Sequence, residues 1–474
     1  MPHIRITKGF NIPLAADKNC GTIPHNIPRI PEAILHTGQF AICIEDYRGC
    51  KPEFFPEFLT EKKVKVKQGQ PVFFDKRFPE VLYTAPESGK FLHILRGEKR
   101  KPLAVVFEKE DYGHVSFPKT TIDDILNPEK LSPDAIKKTL CKSGLFAALR
   151  RRPFDTVARP SDIPRALFIT AADTNPLAPD PLTVIQNAAE YFRAGVGIVS
   201  RLTSGNTFLI TGRETPVPGN DCDFVQQLTF TGPHPSGNPG THIHFLFPVS
   251  RTDVVWHIGY QDVINIGETF LTGKLSASRV LSLAGSASPT AGLLRTVWGS
   301  SVSELLTLYT SGSGTQSEPV RVISGSVLDG RRVDIEQCFL GRFHRQITLL
   351  PEDDKKKLLG WAMPGFGSYS LTRTFMSSFI PFFRKKMYRF TSDLQGDPRA
   401  FVPVGLYDKL MPLDVLPAVF LRALVSKDYD LIEKLGGFDL GSEDLALCTF
   451  AAPGKADYGA LLTAAFDAIE KEST

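Results

Sequence analysis

The spacing of apolar residues changes along the 474-residue chain, which is typical of several domains rather than one core. Between residues 64 and 108, short β-branched and aromatic runs are cut by glycine and proline, a pattern that indicates many short strands. Between residues 165 and 260, strand-like runs alternate with helical runs. Beyond residue 412 helical spacing prevails, so we expect three or four domains in all.

These patterns predict a multidomain chain of mixed α/β and α+β class. Residues 1–120 are expected to hold an N-terminal region with a barrel-sandwich (lipoyl-like) domain, and residues 121–257 a Rossmann-like α/β domain. Residues 258–335 run in the order strand, strand, helix, strand, as in a ubiquitin-like β-grasp (SLBB-type) module. A linker and a C-terminal helical domain are predicted for residues 336–474.

Composition excludes several classes of protein. A hydrophobic fraction of 42% is ample for buried cores. The 55 Lys and Arg residues nearly balance 51 Asp and Glu, so the net charge of +4 gives no reason to expect a nucleic-acid partner. The seven cysteines are scattered without any CxxC pair, which suits reduced thiols better than a disulfide framework or a zinc ribbon.

The chain lacks the features of a membrane-spanning or secreted protein. Its apolar runs are shorter than the roughly 20 residues that a spanning helix needs. Its first residues show no secretory signal, so we expect the chain to stay in the cytoplasm. The GxGxxG fingerprint of dinucleotide-binding domains and the P-loop are both missing from the predicted α/β domain.

The most specific local pattern is the stretch GPHPSGNPGTHIH at residues 232–244. On a strand, His242 and His244 would face the same side, as metal ligands or a proton relay require, and His234 could be a third ligand. The run from His242 to Val249 is interpreted as a strand because it continues the alternation of strand-like and helical runs. Useful carboxylates are missing nearby, and histidines beside Gly/Pro turns often hydrogen-bond a loop, so a structural or partner-facing role is favoured over a metal.

Two further groups could have a functional role. Tyr260, with Trp256 and His257 before it, could orient a planar ligand by stacking and hydrogen bonding; an ordinary strand-to-helix turn is the alternative. The basic run Arg150–Arg152 could contact a phosphate or an acidic partner, but it is predicted to be the solvated end of a helix, where cations interact favourably with the helix dipole.

Short motifs spread over the chain match one family. They are Lys8–Leu14, Thr84–Pro86, Arg96–Arg100, Thr170–Pro176, Gly232–His244, Tyr260–Val263, Val322–Leu328, Met411–Pro417 and Asp444–Thr449. Together they resemble the A subunits of the bacterial sodium-translocating NADH:ubiquinone reductases (Na+-NQR), and the likeness spans nearly the whole chain.

The resemblance also bears on cofactors. The family is similar in architecture to the NADH- and flavin-binding subunit of respiratory complex I and to the C subunit of the Rnf complex. Those relatives carry a glycine-rich flavin loop and a four-cysteine cluster motif. The corresponding stretches here are Ser143–Pro153, without the glycine-rich pattern, and Leu447–Pro453, with one cysteine. The resemblance thus implies a scaffold that binds no redox cofactor.

The family implies a peripheral subunit on the cytoplasmic side of the inner membrane, in a six-subunit sodium pump. Subunits B, C, D, E and F are its expected partners, and NADH, FAD, FMN, riboflavin and an iron–sulfur centre belong to them. This subunit is associated with ubiquinone reduction, and we expect the isolated chain not to be catalytic.

Ubiquinone is a candidate ligand of the chain itself. His234, His242, His244 and Tyr260 are the candidates for hydrogen-bonding a quinone carbonyl. The alternative is a soluble metal- or flavin-dependent oxidoreductase subunit that uses the three histidines.

Overall fold

The computed structural model describes the whole chain except residues 1, 20–29, 61, 62, 128, 223, 311–318, 334–338, 354–363, 367, 373, 374, 380–386, 473 and 474. The described residues form sheets of seven, five, four and three strands, with helices on both faces of the largest sheet. The predicted mixed class is therefore confirmed.

The N-terminal region forms two small antiparallel sheets that share one apolar core. Its elements are β1 His3–Arg5, β2 Gln39–Cys43, β3 Pro52–Phe54, α1 Glu57–Thr60, β4 Lys65–Val66, β5 Pro71–Asp75, β6 Phe78–Thr84, β7 Gly89–Arg96 and β8 Pro102–Lys109. The sheet orders are β2-β8-β7-β4 and β3-β5-β6. Aromatic side chains of both sheets contribute to this core, and Phe40 of β2 stacks on Phe107 of the neighbouring strand β8 with ring centroids 5.1 Å apart.

The seven-stranded sheet lies at the centre of the molecule. Its further elements are α2 Ile122–Leu126, α3 Pro133–Ser143, β9 Arg150–Arg152, β10 Thr156–Val157, β11 Ala166–Ala171, α4 Pro181–Gln186, α5 Ala189–Val199, β12 Asn206–Thr211, β13 Val225–Thr231, α6 Pro239–Leu246, β14 Val255–Gly259 and α7 Tyr260–Thr272. The order is β1-β13-β12-β11-β14-β9-β10. The first five strands are parallel, and β9 and β10 are antiparallel additions.

Strand β11 shows why the sheet needs layers on both faces. All six of its residues are buried. Leu167 and Ile169 belong to the core shared with α5 and α7, whereas Phe168 belongs to the core shared with the C-terminal helices. Successive side chains of a strand point to opposite faces, so a wholly apolar run requires cover on each side.

Two sequence-based assignments in this region are wrong. The run from His242 to Val249 is not a strand, since residues up to Leu246 belong to α6. Asn238 at the N-cap position and Pro239 at the first helical position favour this helix start. Arg150–Arg152 form strand β9 rather than a solvated helix end, because α3 already stops at Gly144 in the left-handed conformation.

A five-stranded sheet follows the central unit. Its elements are β15 Ser278–Ala284, β16 Gly292–Val297, α8 Val302–Thr310, β17 Val320–Ser324, β18 Arg331–Arg332 and β19 Gln346–Pro351. The order is β16-β15-β19-β17-β18, with β15 and β19 parallel and the other pairs antiparallel. The runs predicted from the sequence lie in β15, β16, α8 and β17. Strand β19 comes from the segment that we assigned to the linker.

The C-terminal segment is helical where it is described. Its helices are α9 Tyr407–Leu410, α10 Pro417–Ser426, α11 Tyr429–Lys434, α12 Ala446–Ala451 and α13 Tyr458–Glu472. Side chains such as Phe420 and Leu462 join Phe168 and Phe230 of the central sheet in one buried cluster. Among the described residues, no helix is both long and apolar enough to traverse a bilayer.

Asp262 on α7 joins the central unit to the five-stranded unit. Its Oδ1 accepts hydrogen bonds from Arg279 at 2.6 Å and from Arg342 at 2.5 Å, and all three side chains are buried. The Arg342 guanidinium also lies 3.9 Å from the centroid of Trp298. Burial alone would raise the pKa of Asp262, but the two guanidinium groups outweigh burial and lower it.

We expect Asp262→Ala to lower the free energy of unfolding by about 3–5 kcal/mol, because two buried guanidinium groups lose their counter-ion. Chemical denaturation followed by circular dichroism measures this loss. The matched control is Asp221, which pairs with Arg193 at the surface, and Asp221→Ala should cost less than about 1 kcal/mol. Equal losses in the two variants would contradict a special role for Asp262.

Candidate functional site

The candidate site lies where the order of the parallel strands reverses. From β11 the chain runs outward through β12 to β13, and then crosses to β14 on the other side of β11. The carboxyl ends of β11 and β14 therefore flank a topological switch point, the usual place for a ligand in open α/β sheets. Asp173 follows β11 there, and Tyr260 follows β14 directly.

Arg345, from the five-stranded unit, occupies this switch point. Its Nη2 lies 3.0 Å from Asp173 Oδ2, and its guanidinium carbon lies 5.5 Å from the centroid of Tyr260. Tyr260 is fully buried, and burial raises the pKa of its hydroxyl to about 12. Its oxygen accepts a hydrogen bond from Gln261 Nε2 at 3.2 Å. Of these side chains, Arg345 keeps a solvent-exposed fraction, 26%.

His234 lies at the same edge of the sheet, in the loop after β13. Its backbone N–H donates to Asn11 Oδ1 at 2.9 Å, and its Nδ1 is 3.1 Å from Thr174 Oγ1, the residue after Asp173. Its Nε2 has no partner among the described residues. Burial lowers the pKa of His234 to about 4, so the ring is neutral at pH 7.

His242 and His244 point away from each other, because two residues span about 200° of a helix. His242 is fully buried near Phe230, its Nε2–H donates to Ser236 O at 2.9 Å, and burial lowers its pKa to about 3. His244 instead contacts the C-terminal unit, with Nδ1 2.8 Å from Asp439 Oδ2.

The prediction that the two histidines share one face is thus wrong. In the part of the chain that the structure describes, no three His, Cys, Asp or Glu side chains are grouped to hold a metal ion. The structure brings His234 and Tyr260 to one edge of the sheet and uses His242 and His244 for packing between elements.

Sequence reasoning missed a buried polar network beside this edge. Arg152 is fully buried, bonds to Asp155, and donates to His257 Nε2 at 3.0 Å and to Glu443 Oε1 at 2.9 Å. Burial and the Arg152 charge lower the pKa of His257 to about 4, which leaves its Nε2 free to accept. A run of three arginines could have suggested a network, but no spacing in the sequence pairs it with residue 443.

Asp444 belongs to the same junction between the central and C-terminal units. Its Oδ2 accepts from Gly441 N at 2.8 Å, and its Oδ1 has no partner among the described residues. A Cβ atom at Gly240 would lie 2.0 Å from Asp444 Oδ2, so only glycine admits this approach to the start of α6. Burial and the neighbouring Glu443 carboxylate raise the pKa of Asp444.

The polar side chains at this edge can donate or accept hydrogen bonds. The buried histidines are neutral, and Tyr260 and Arg345 are hydrogen-bond donors at neutral pH. Arg345 is the donor nearest to solvent, whereas His234 and Tyr260 are buried.

Comparison with protein families supports the motif-based expectation. Three family models match, described as the NqrA N-terminal barrel-sandwich hybrid domain at residues 4–110, the NqrA second alpha/beta domain at residues 131–275 and the NQRA C-terminal domain at residues 280–334. Together the three matches place most of the described sheets within one family of multidomain subunits.

Curated relatives are similar over the full length. The A subunit of the Na(+)-translocating NADH-quinone reductase of Pasteurella multocida (strain Pm70) is 41% identical over 99% of this chain and 100% of its own. That of Yersinia pestis is 42% identical with the same coverage. The chain therefore belongs to the family of Na(+)-translocating NADH-quinone reductase A subunits, and the family expected from the motifs is confirmed.

Solved structures are more distant. An NAD+-reducing [NiFe]-hydrogenase in the air-oxidized state is 13% identical with a TM-score of 0.36, over 74% of this chain and 69% of that chain. A similarity at this level supports no functional conclusion.

The raised pKa of Asp444 predicts a stability that falls with pH. Below the ordinary pKa of about 4, the Asp444 carboxyl is protonated in both the folded and the unfolded chain. Above this pH the carboxyl ionises in the unfolded chain but resists ionisation in the folded chain, so the free energy of unfolding falls. We expect the free energy of unfolding of Asp444→Asn, relative to the unmodified chain, to rise by more than about 1 kcal/mol between pH 4 and pH 8.

Denaturant titrations at pH 4, 6 and 8 measure this difference. The control is Asp430→Asn, which removes an exposed carboxylate from α11. A pH-independent difference for Asp444→Asn would refute the interpretation.

Proposed function

We propose that this chain is the peripheral, cytoplasmic-side subunit of a Na+-translocating NADH:ubiquinone reductase and acts at the ubiquinone-reducing step. The full-length similarity to the A subunits is the observation that carries the proposal. Its partners would be subunits B, C, D, E and F of the inner-membrane complex. NADH, FAD, FMN, riboflavin and the iron–sulfur centre would be bound by those subunits.

The residues of this chain support a subunit without its own redox centre. Cys448 is the single cysteine in residues 447–453 and is buried, and burial raises the pKa of its thiol to about 12. One protonated thiol does not make a cluster site. Arg151 and Arg152, in the stretch that corresponds to the flavin loop, are buried side chains of a strand rather than an open phosphate cradle.

We further propose that the chain contributes to ubiquinone binding at the carboxyl edge of the central sheet. His234 Nε2, with no partner among the described residues, and the Tyr260 hydroxyl are the best-placed predicted candidates. Arg345 adds a donor that solvent reaches. His242 and His244 would support this edge from α6 without touching the ligand.

We also propose that the chain is divided into four domains, as the sheet orders and the C-terminal helices suggest. The two N-terminal sheets suit a barrel-sandwich domain, and the parallel order β13-β12-β11-β14 suits a Rossmann-like domain. The order β16-β15-β19-β17-β18, with its parallel central pair, suits a β-grasp module. The helices from residue 407 onward suit a separate C-terminal helical domain.

Quinone binding is tested by titrating ubiquinone-1 against the purified chain while tryptophan fluorescence is followed. We expect saturable quenching that weakens about fivefold in His234→Gln, since one hydrogen bond to the ligand is worth about 1 kcal/mol. The matched control is His36→Gln, whose ring pairs with Glu87 in the N-terminal unit. A flat titration of the unmodified chain would overturn quinone binding on this subunit.

The place of the chain in the reaction is tested with the complex. Complex purified without this chain should still oxidise NADH with an artificial electron acceptor, but should reduce ubiquinone at least 10-fold more slowly. The isolated chain should show no visible absorption band and no stoichiometric zinc or iron. Bound flavin, or metal held by the three histidines, would instead support the oxidoreductase alternative.

A further inference from the structure

A groove of about 460 Å³ separates helix α3 from strand β6, where the central unit meets the N-terminal sheets. A volume of this size is typical of sites that hold a small amphiphilic molecule. The groove contains none of the family motifs and no residue of the candidate site at the sheet edge. Its function is therefore a separate question.

The floor of the groove is apolar. Pro79 and Leu82 of β6 lie on one side, and Pro160 and Cys141 on the other. Cys141 is only 3% exposed, and burial raises the pKa of its thiol to about 12, so it contributes no charge. The floor can therefore accept a hydrocarbon chain without burying an ion.

The wall formed by α3 is cationic. Lys138 and Lys142 line the groove, are exposed, and stand one helical turn apart, a spacing at which like charges repel. Lys137 also lines the groove, and its Nζ donates to Pro160 O at 2.8 Å. The acidic side chains Glu80 and Asp134 do not cancel the three ammonium groups.

We propose that this groove binds an anionic phospholipid. One acyl chain lies along the floor over Leu82, and the phosphate lies between the ammonium groups of Lys138 and Lys142, where it relieves their mutual repulsion. A neutral quinone ring would leave the net positive charge of the groove wall unchanged, so the charge pattern favours the lipid. This inference rests on the proposed function only in that the complex holds the chain beside a bilayer.

Vesicle co-sedimentation with the purified full chain tests the inference. We expect vesicles that contain phosphatidylglycerol to bind the chain, and vesicles of phosphatidylcholine alone to bind it at least 10-fold more weakly. The double variant Lys138→Gln/Lys142→Gln should weaken binding to phosphatidylglycerol vesicles about 30-fold, because each lysine near an anionic surface contributes about fivefold.

The matched control removes the same charge elsewhere. Lys427→Gln/Lys434→Gln changes two exposed lysines of the C-terminal helices and should leave vesicle binding within about twofold. A second variant, Leu82→Asp, alters the floor without removing a lysine and should also abolish the preference for phosphatidylglycerol. Circular dichroism verifies that each variant is folded; if Leu82→Asp is not, the lysine pair alone decides.

Three results would overturn the inference. Equal binding to the two kinds of vesicle would exclude a preference for a net anionic headgroup, since phosphatidylcholine also carries a phosphate. Equal losses in the two double variants would indicate non-specific attraction. Unchanged vesicle binding together with lost ubiquinone-1 binding in the groove variants would assign the groove to quinone. Ubiquinone reduction by the complex is measured in parallel. If vesicle binding contradicts the lipid site but the complex still reduces ubiquinone, the proposed function is unaffected.

Discussion

The arrangement of this molecule depends on one buried carboxylate, Asp262, that two guanidinium groups share. A carboxylate buried without partners would be strongly destabilising, and Arg279 and Arg342 supply the compensation from a different unit of the chain. Because Arg342 is fixed in this way, Arg345 three residues later reaches the carboxyl edge of the central sheet and lies against Asp173 and Tyr260. The ion pair that joins two units thus also shapes the candidate site.

A second buried charge, the Arg152 guanidinium, holds the C-terminal helices against the face of the central sheet that α5 and α7 do not cover. Arg152 connects Asp155 and His257 of the central unit with Glu443 of the C-terminal unit. Asp444, beside it, lies against the first turn of α6 where only Gly240 leaves room. The candidate edge is therefore bordered by three units, and His234 stays neutral there because it is buried.

Local patterns in the sequence predicted the elements whose stability is local. The apolar run at β11, the strand and helix order from β15 to β17, and the C-terminal helices all follow from residue spacing. The two wrong assignments have different causes. Polarity suggested a solvated helix end at Arg150–Arg152, but α3 ends at Gly144 and these residues pair with β14. A period of two suggested a strand from His242, but Asn238 and Pro239 start a helix there.

The sequence by itself determined the class, the family and the candidate histidines, because motifs and hydrophobic spacing lie within short stretches of chain. The tertiary structure alone decided which of these residues meet. His234 and Tyr260 lie at the same edge because β13 and β14 are parallel strands of one sheet. Arg345, from the five-stranded unit, lies against Asp173 and Tyr260 at this edge, and its neighbour Arg342 pairs with Asp262 of the central unit. Such contacts depend on pairing between distant segments, and the spacing of residues along a chain does not record that pairing.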